Sequence, residues 1–592
     1  MLQKTIKQIG LLSLLFLFSY GCKENTTNTI ENSPAKVYFG GDIITMETEE
    51  AANYAEAIAI QDGKIVFVGS KKDVQDKFSD AEMIDLKGKT LIPGFIDAHS
   101  HIWQSAQKLG TINLDPEPAG DITSIADIAT KLNRELTDNP SSYDAENKWL
   151  IGWGFDNAML SENRFPTAED LDKVSTTTPI VLVHFSGHII VMNSKGLERS
   201  GYLDEGYKIP DGGSLRYFEN TTTPNGIIEE QAMLTGMSRI GEDINGVKGI
   251  YAGIEFPKDV MKDLVLKAQE EYIKAGFTTL TEFATTQSTY DVIKELGNEN
   301  QLEVDFGLAF YTALTTPEVV KNLYSKTYEN NMRVIGGKLN LDGGSPGRTA
   351  FLREKYYTPT IGQPDDYRGY SSIKEQEDMN TLVASYYKER IPFFIHALGD
   401  AALDQCIKAV TYAETNAGYD DARTNLIHLQ IVQPDQIQDL KKLDVTATFQ
   451  ITHNFYFADF HETYIYGPER TKRLNPMKET LDADIPVTFH HDSPIHPIDQ
   501  LHIMWIAVNR TSRSGKVYGP ENRLSPYEAL YASTAASAYQ YFEEDSKGSL
   551  EEGKLADLVI LDKNPLKVAP ETIKDIQVLE TIKEGQSIYT KH

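Results

Sequence analysis

The stretch Leu91–Trp103 reads LIPGFIDAHSHIW, an apolar run that ends in Asp97, His99 and His101. Residues i and i+2 of a β-strand point to the same side, so the two imidazoles can converge on one point and chelate a metal. A His-x-His pair also occurs on ordinary surface strands, and the rest of the chain has to decide between the two readings.

Further apolar, β-rich runs begin at Thr278 (TTLTEF), Val304 (VDFGLAF), Val334 (VIGGKLNLDGG), Ile391 (IPFFIHALGD), Asn425 (NLIHLQ), Val445 (VTATFQ) and Ile485 (IPVTFHHDSP). With the first they make eight strands alternating with helical periodicity, the pattern of an α/β fold of the (β/α)8 TIM barrel type, spanning residues 91–547. Polarity enters late in these runs: His99 and His101, Glu282, Lys338 and Asp342, His396 and Asp400, His428, Gln450, and His491 with Asp492. The C-terminal ends of barrel strands form the active face, which gathers such side chains around one cavity.

A long insertion, residues 104–270, separates the first two strands. It carries Trp149, Trp153, Phe155, His184 and His188. An insertion at the active face is where a substrate lid would arise, with Trp153 as a substrate-binding residue; the alternative is that these aromatics form the insertion's own core. Residues 36–90 and 548–592 alternate apolar and polar residues and turn on Asp-Gly and Lys-Gly-Lys, so the two ends of the chain are expected to pair into a small β-sandwich domain.

The 592 residues are 40% hydrophobic and 24% charged, the balance of a globular protein with a sizeable core. A formal net charge of -29 repels nucleic acid and anionic membrane surfaces, so the expected partner is a small-molecule substrate, with a homodimer compatible. Cys22 and Cys406 are the only cysteines, which excludes a disulfide framework and a cysteine zinc cluster. Lys4 and Lys7 precede an apolar run from Ile9 to Phe18 that is short for a membrane span and shaped like a signal peptide, residues 1–22. Gly21-Cys22 resembles a bacterial lipoprotein cleavage site, with residues 23–35 as a tether; the expectation is a cell-envelope lipoprotein in the periplasm or outer membrane, the alternative plain secretion.

A borderline divalent ion such as zinc takes imidazole and carboxylate ligands and keeps a position for water. The strand ends offer His99, His101, His396, His428 and Asp492, enough for one ion and nearly for two.

At this point the chain resembles the amidohydrolase superfamily, and within it the YtcJ-like group, amidohydrolase family 3, which includes N-substituted formamide deformylases. The resemblance runs through PGFIDAHSH, GWGFD, RFPTAEDLD, FSGHIIVMNSKGL, GIIEEQA, AGFTTLTEF, KLNLDGGSPGRTA, IHALGDAALDQ, HLQIVQPDQI, HHDSP, LSPYEALYASTAASA and GSLEEGKLADLVILD. It implies that His99 and His101 bind the more buried ion, that His396 and His428 bind a second ion or complete a single site, and that Asp492 touches the metal and handles the proton. Lys338 matches the position that many members carboxylate to bridge two metals; the alternative is an ion pair with Asp342 or Glu282.

The expected reaction is hydrolysis of a C–N bond by metal-activated hydroxide, with ester or lactone hydrolysis, or a non-catalytic solute-binding lipoprotein, as alternatives. His188 is the candidate oxyanion donor and Arg348 the candidate anchor for a substrate anion. The aromatic loop after the seventh strand adds His453 as a substrate-binding candidate.

Overall fold

The computed structural model describes residues 34–117, 119–143, 148–157, 159–187, 189–210, 213–230, 232–245, 256–360 and 363–591. The expected signal segment, Cys22, the expected tether through residue 33 and His188 lie outside the described residues.

The centre is a curled sheet of eight parallel strands: β1 (Phe95–Ile96), β2 (Phe277–Thr285), β3 (Asp305–Tyr311), β4 (Met332–Asn340), β5 (Phe393–Ala397), β6 (Thr424–His428), β7 (Val445–Phe449) and β8 (Val487–Phe489). Each pairs with the next in chain order, and helices such as Gln287–Asn298, Gln376–Lys388 and Asp400–Ala417 alternate with them. Strands covered on both faces read as continuous apolar runs, which is why they stood out in the sequence.

The curl is visible inside. Ile96, Phe283, Ala309, Ile335, Phe394 and Ile427, one from each of β1 to β6, meet in one buried cluster with Ala538 and Tyr541. No ladder joins β1 to β8 among the described residues; side chains bridge that seam instead. The amide oxygen of Gln540 accepts from Thr448 and Thr488 on β7 and β8, while its Nε2 donates to the Ala98 carbonyl beyond β1, at 2.9 Å. At the other end the His101 N–H donates to the Ser493 carbonyl, at 2.9 Å. The result is a TIM-like core.

The first apolar run is not one strand. Thr90–Pro93 pairs with Leu558–Leu561, and the barrel strand starts only at Phe95. Gly94 is the joint, and its Cα lies so close to β2 that a Cβ would stand 2.3 Å from Thr278 Oγ1. The barrel therefore begins at Phe95 rather than at Leu91.

Both chain ends do share one small domain, its strands hydrogen-bonded into one eight-stranded sheet whose two ends meet across a shared apolar cluster that includes Ile58, Ile60, Leu558 and Ile582. The strand order runs Gln586–Thr590, Val578–Lys583, Leu558–Leu561, Thr90–Pro93, Lys36–Ile44, Tyr54–Gln61 and Lys64–Gly69, with Glu82–Asp85 also on Lys36–Ile44. Strand Lys36–Ile44 takes Glu82–Asp85 along the first half of one edge and Thr90 and Leu91 along the second, and on its other edge the register with Tyr54–Gln61 shifts between Phe39 and Ile43. Beneath this sheet, Asp305 at the start of β3 accepts from Lys547 and Lys583, and Lys583 also pairs with Asp557 at 3.0 Å. The two buried lysines pull the Asp305 carboxyl down to about 2 against the burial that would raise it.

The insertion forms its own six-stranded sheet between Ile112–Asn113 and Pro224–Glu230. It ends short of residue 270, because helix Lys258–Lys274 packs on helix Ile102–Leu109 and buries Met261, Leu264, Val265, Ala268, Tyr272 and Ile273 in the outer barrel core. Strand Leu150–Phe155 turns Ile151 and Trp153 to one apolar cluster and Leu150 and Phe155 to the other. Trp153, 1% exposed, is thus part of the insertion's core and not a substrate-binding residue; a strand of the insertion sheet buried on both faces has no side free for a pocket. No helix among the described residues is long and apolar enough to cross a membrane.

Candidate metal centre

At the C-terminal ends of β1, β6 and β8, five side chains meet. His99, His101 and Asp492 form one group whose ligand atoms all lie within 4.8 Å of one another, and His428, His490 and Asp492 form a second. Asp492 Oδ1 is 3.3 Å from His99 Nε2 and 3.6 Å from His101 Nε2, while Oδ2 is 3.9 Å from His428 Nδ1 and accepts from Gln450 Nε2 at 2.9 Å.

The chain bends its backbone to reach this geometry. His428 has φ 79° and Asp492 φ 60°, the left-handed region that non-glycine residues avoid at a cost of roughly 1–3 kcal/mol each. Such strain persists where the surrounding structure holds it, and here it sits on two of the candidate ligands.

Burial, then Lys338 and the neighbouring imidazoles, holds His99 well below the usual histidine range; burial, then the neighbouring histidines and Lys338, does the same to His428 and His490. They are neutral rings with lone pairs to give. Both nitrogens of His99 and of His490, and Nδ1 of His428, are buried without a hydrogen bond among the described residues. Buried polar atoms almost always find partners, so a cluster of orphaned imidazole nitrogens facing a carboxylate fits a divalent ion.

Around the donors, carboxylates orient and staple. Glu282 on β2 accepts from the Trp103 and Ala284 backbone N–H groups at 2.7 Å each and faces His101 Nδ1 at 3.7 Å. Asp97 accepts from the Thr281 hydroxyl at 2.6 Å and from Ser100, which fastens β1 to β2. Asp342 accepts three backbone N–H groups, from Phe351, Leu398 and Gly399, and stands 3.6 Å from His396 Nε2. Asp342 is therefore no ion-pair partner of Lys338. His396 lies beside His428, ring centroids 4.2 Å apart, but in neither three-donor group. Lys338 is 1% exposed; burial lowers its ammonium to about 7, opposed by the charges of Asp492 and Glu282.

Over this face the insertion and the barrel loops enclose a cleft of about 720 Å³, lined by His184, Phe185 and Arg216 from the one and Arg348, Tyr456, Phe457 and Phe460 from the other. The aromatic loop after β7 thus both lines the cleft and packs on the insertion.

Two further expectations change. The Arg348 guanidinium donates to the Thr358 and Pro359 carbonyls and to the Thr358 and Thr360 hydroxyls, so it holds its own loop together rather than a substrate anion. His453 is buried with Nδ1 3.1 Å from His461 Nε2, and it is absent from the lining of the cleft; burial pushes it to about 3. His490 was missed in the sequence in favour of its neighbour His491, whose Nδ1 accepts from the Ser493 N–H at 3.0 Å and whose Nε2 faces Asp97 at 3.9 Å.

Residues 82–589 match the amidohydrolase family. The chain belongs to that family. Among curated relatives, this amidohydrolase is 25% identical to the YtcJ protein of Bacillus subtilis over 94% of the chain and 99% of the relative. It is 24% identical to the N-substituted formamide deformylase of Arthrobacter pascens, over 92% and 97%. Among solved structures, an uncharacterized metal-dependent hydrolase from Pyrococcus horikoshii superposes with a TM-score of 0.69 at 24% identity, covering 94% of this chain and 100% of that one. The atrazine chlorohydrolase TrzN of Arthrobacter aurescens, complexed with zinc, follows at 0.51 and 16%, over 94% and 95%. The structural likenesses show a shared fold over nearly the whole chain.

Proposed function

We propose that this amidohydrolase is a metal-dependent hydrolase that cleaves the C–N bond of an amide, formamide or related small molecule. The observation that carries the reading is the convergence of buried His99 and Asp492 with part-buried His101 at strand ends, with orphaned imidazole nitrogens turned to a carboxylate. The relative named as a formamide deformylase supports the choice of bond.

A divalent ion, zinc by the softness of the donors, would supply an activated water and polarise the substrate carbonyl. Asp492 has the geometry of the proton carrier: Gln450 fixes Oδ2, leaving Oδ1 toward the His99 and His101 nitrogens, where it takes a proton as base and returns it to the departing nitrogen as acid. Lys338, buried beside Asp492 and Glu282, would as a carbamate offer a metal two oxygens that share one negative charge. His188, four residues beyond His184 in the sequence, is the proposed oxyanion donor. The N-terminal segment adds the proposal of an exported, lipid-anchored enzyme, tested by membrane fractionation of the full chain and a Cys22→Ala variant.

The deciding experiment assays zinc-loaded protein against N-substituted formamides, simple amides, esters and lactones, with Asp492→Asn alongside. Turnover of amides that disappears in the variant is the expected result. Turnover of esters or lactones alone would overturn the assignment of the bond, and tight binding without turnover of any class would make the chain a solute-binding protein.

A further inference from the structure

We infer that a groove on the flank of the barrel, separate from the metal centre, binds a small hydroxylated molecule carrying two anionic groups. The groove, about 1210 Å³, lies between helix Asp400–Ala417 and the segment that leads into helix Gln376–Lys388. None of the candidate metal ligands lines it; Tyr370 lines both it and the neighbouring cleft.

Its charge is the reverse of the chain's. The sequence holds 57 basic residues against 86 acidic ones, yet Arg353, Arg368, Lys374 and Lys408 line the groove against a single carboxylate, Asp404. That carboxylate is already taken: Arg353 Nε and Nη2 donate to it at 2.8 and 2.6 Å, and Gln436 Nε2 donates at 2.7 Å. Asp435 stands 2.9 Å from the same guanidinium, so Arg353 is closed within the protein. Arg368, Lys374 and Lys408 remain, with no carboxylate at ion-pair distance among the described residues. Elsewhere on this acidic surface Lys441, Lys442, Lys472 and Lys516 each find a carboxylate within 2.9 Å. Salt confines the reach of an exposed charge to about 8–10 Å, so the local excess of three cations governs what enters the groove, whatever the sign of the whole molecule.

The lining also describes the ligand. Lys408 stands on the helix and Arg368 and Lys374 on the facing segment, so cations flank the groove on both sides and engage a ligand through two anionic groups. The Arg368 guanidinium lies 5.3 Å from the centroid of the Phe351 ring and its Nη1 donates to the Arg353 carbonyl at 3.3 Å, which holds the fork ready for a carboxylate or phosphate. Gln405 Nε2 donates to the Ile373 carbonyl at 3.2 Å, but its Oε1 is buried with no donor among the described residues. Buried amide oxygens almost always accept a hydrogen bond, and a hydroxyl on the ligand supplies it.

The test is isothermal titration calorimetry on the metal-loaded protein, at low and at physiological salt. The probes are fructose 1,6-bisphosphate and glucarate, with methyl phosphate and acetate as single-anion controls. Arg368→Gln, Lys374→Glu and Lys408→Glu are compared with Lys72→Glu, which makes the same charge change on an exposed helix of the small domain. Lys374 and Lys408 are exposed, so their replacement leaves the fold intact, and thermal unfolding verifies it. The expected result is one dianion per chain, bound more weakly as salt rises, with affinity lowered at least tenfold in each groove variant and unchanged in Lys72→Glu. Binding of the bisphosphate alone, or of the diacid alone, supports the site and names its anion. No binding of either probe at millimolar concentration overturns the inference, as does affinity that the groove variants leave unchanged, which places the ligand elsewhere. Equal loss in Lys72→Glu, or single anions bound as tightly as the dianions, overturns it as well, because the response is then to charge in general and not to this groove.

Discussion

Phe185 of the insertion stacks on Phe457 of the loop after β7, ring centroids 5.2 Å apart and planes 20° from parallel. Both side chains line the cleft between the insertion and the loops at the C-terminal end of the barrel, so the contact that closes the insertion onto the barrel is also a wall of the proposed substrate space. Such a stack contributes about 1 kcal/mol beyond the area it buries. Phe185→Ala and Phe457→Ala should therefore couple by about 1 kcal/mol in a double-mutant cycle of urea unfolding, and each should raise KM several-fold with a smaller effect on kcat. Strictly additive stabilities would show that the stack carries no energy of its own.

His99→Ala should abolish metal retention and hydrolysis while leaving the fold largely intact. The ring makes no hydrogen bond among the described residues that its loss would orphan, although removing its packing on Phe283, 4.4 Å away, costs stability. Metal content and far-ultraviolet circular dichroism measured on one preparation check both halves.

Asp492→Asn should lower kcat by roughly 10²–10⁴-fold, the usual worth of a positioned acid or base. An amide still accepts a hydrogen bond but cannot carry the proton to the leaving group. Leaving groups that need no protonation should suffer least, so the ratio of amide to activated-ester turnover is the sensitive readout. An equal loss on both substrates would show that Asp492 acts only in holding metal.

Asp305 predicts an acid limb. Its folded carboxyl titrates at about 2 against an ordinary value of 3.8, so its stabilisation is complete above about pH 4 and is lost as pH falls toward 2. Asp305→Asn should flatten that limb and cost on the order of 3 kcal/mol at neutral pH, because Lys547 and Lys583 stay buried with one fewer partner. Urea unfolding from pH 7 to pH 3 measures both effects; a variant with the wild-type slope would exclude Asp305 as the titrating group.

Much of the core could be read from the chain because parallel strands are apolar along their whole length, and their polar ends advertise the active face. His99, His428 and Asp492 were legible for that reason. His490 was not: two adjacent histidines at a strand end differ only in parity, and nothing local says which one the last pleat turns inward. Leu91–Pro93 looked like the barrel's first strand because apolar content does not record which sheet a residue joins, and Gly94 was the only mark of the change. Arg348 was misread because a guanidinium in a glycine-rich loop satisfies carbonyls as readily as it does a ligand, and the carbonyls it holds lie about ten residues further along the chain. Trp153 fell to the same ambiguity of face, since an aromatic residue suits a core as well as a pocket wall.

The joint at Gly94 has a consequence for how the protein is made. Strand Thr90–Pro93, two residues before β1, is held by Leu558–Leu561, so the strand that delivers His99 and His101 is anchored by residues from the far end of the chain. A ribosome must have translated past residue 561 before that anchor exists, however early the intervening helices and strands have collapsed. Contacts of such long sequence separation form late. A nascent chain halted before Leu558 can pair β1 with β2 and Thr90 and Leu91 with Asp42 and Ile43, but Thr90–Pro93 is then supported along one edge only, so the approach to His99 and His101 is completed by the last part of the chain to be made.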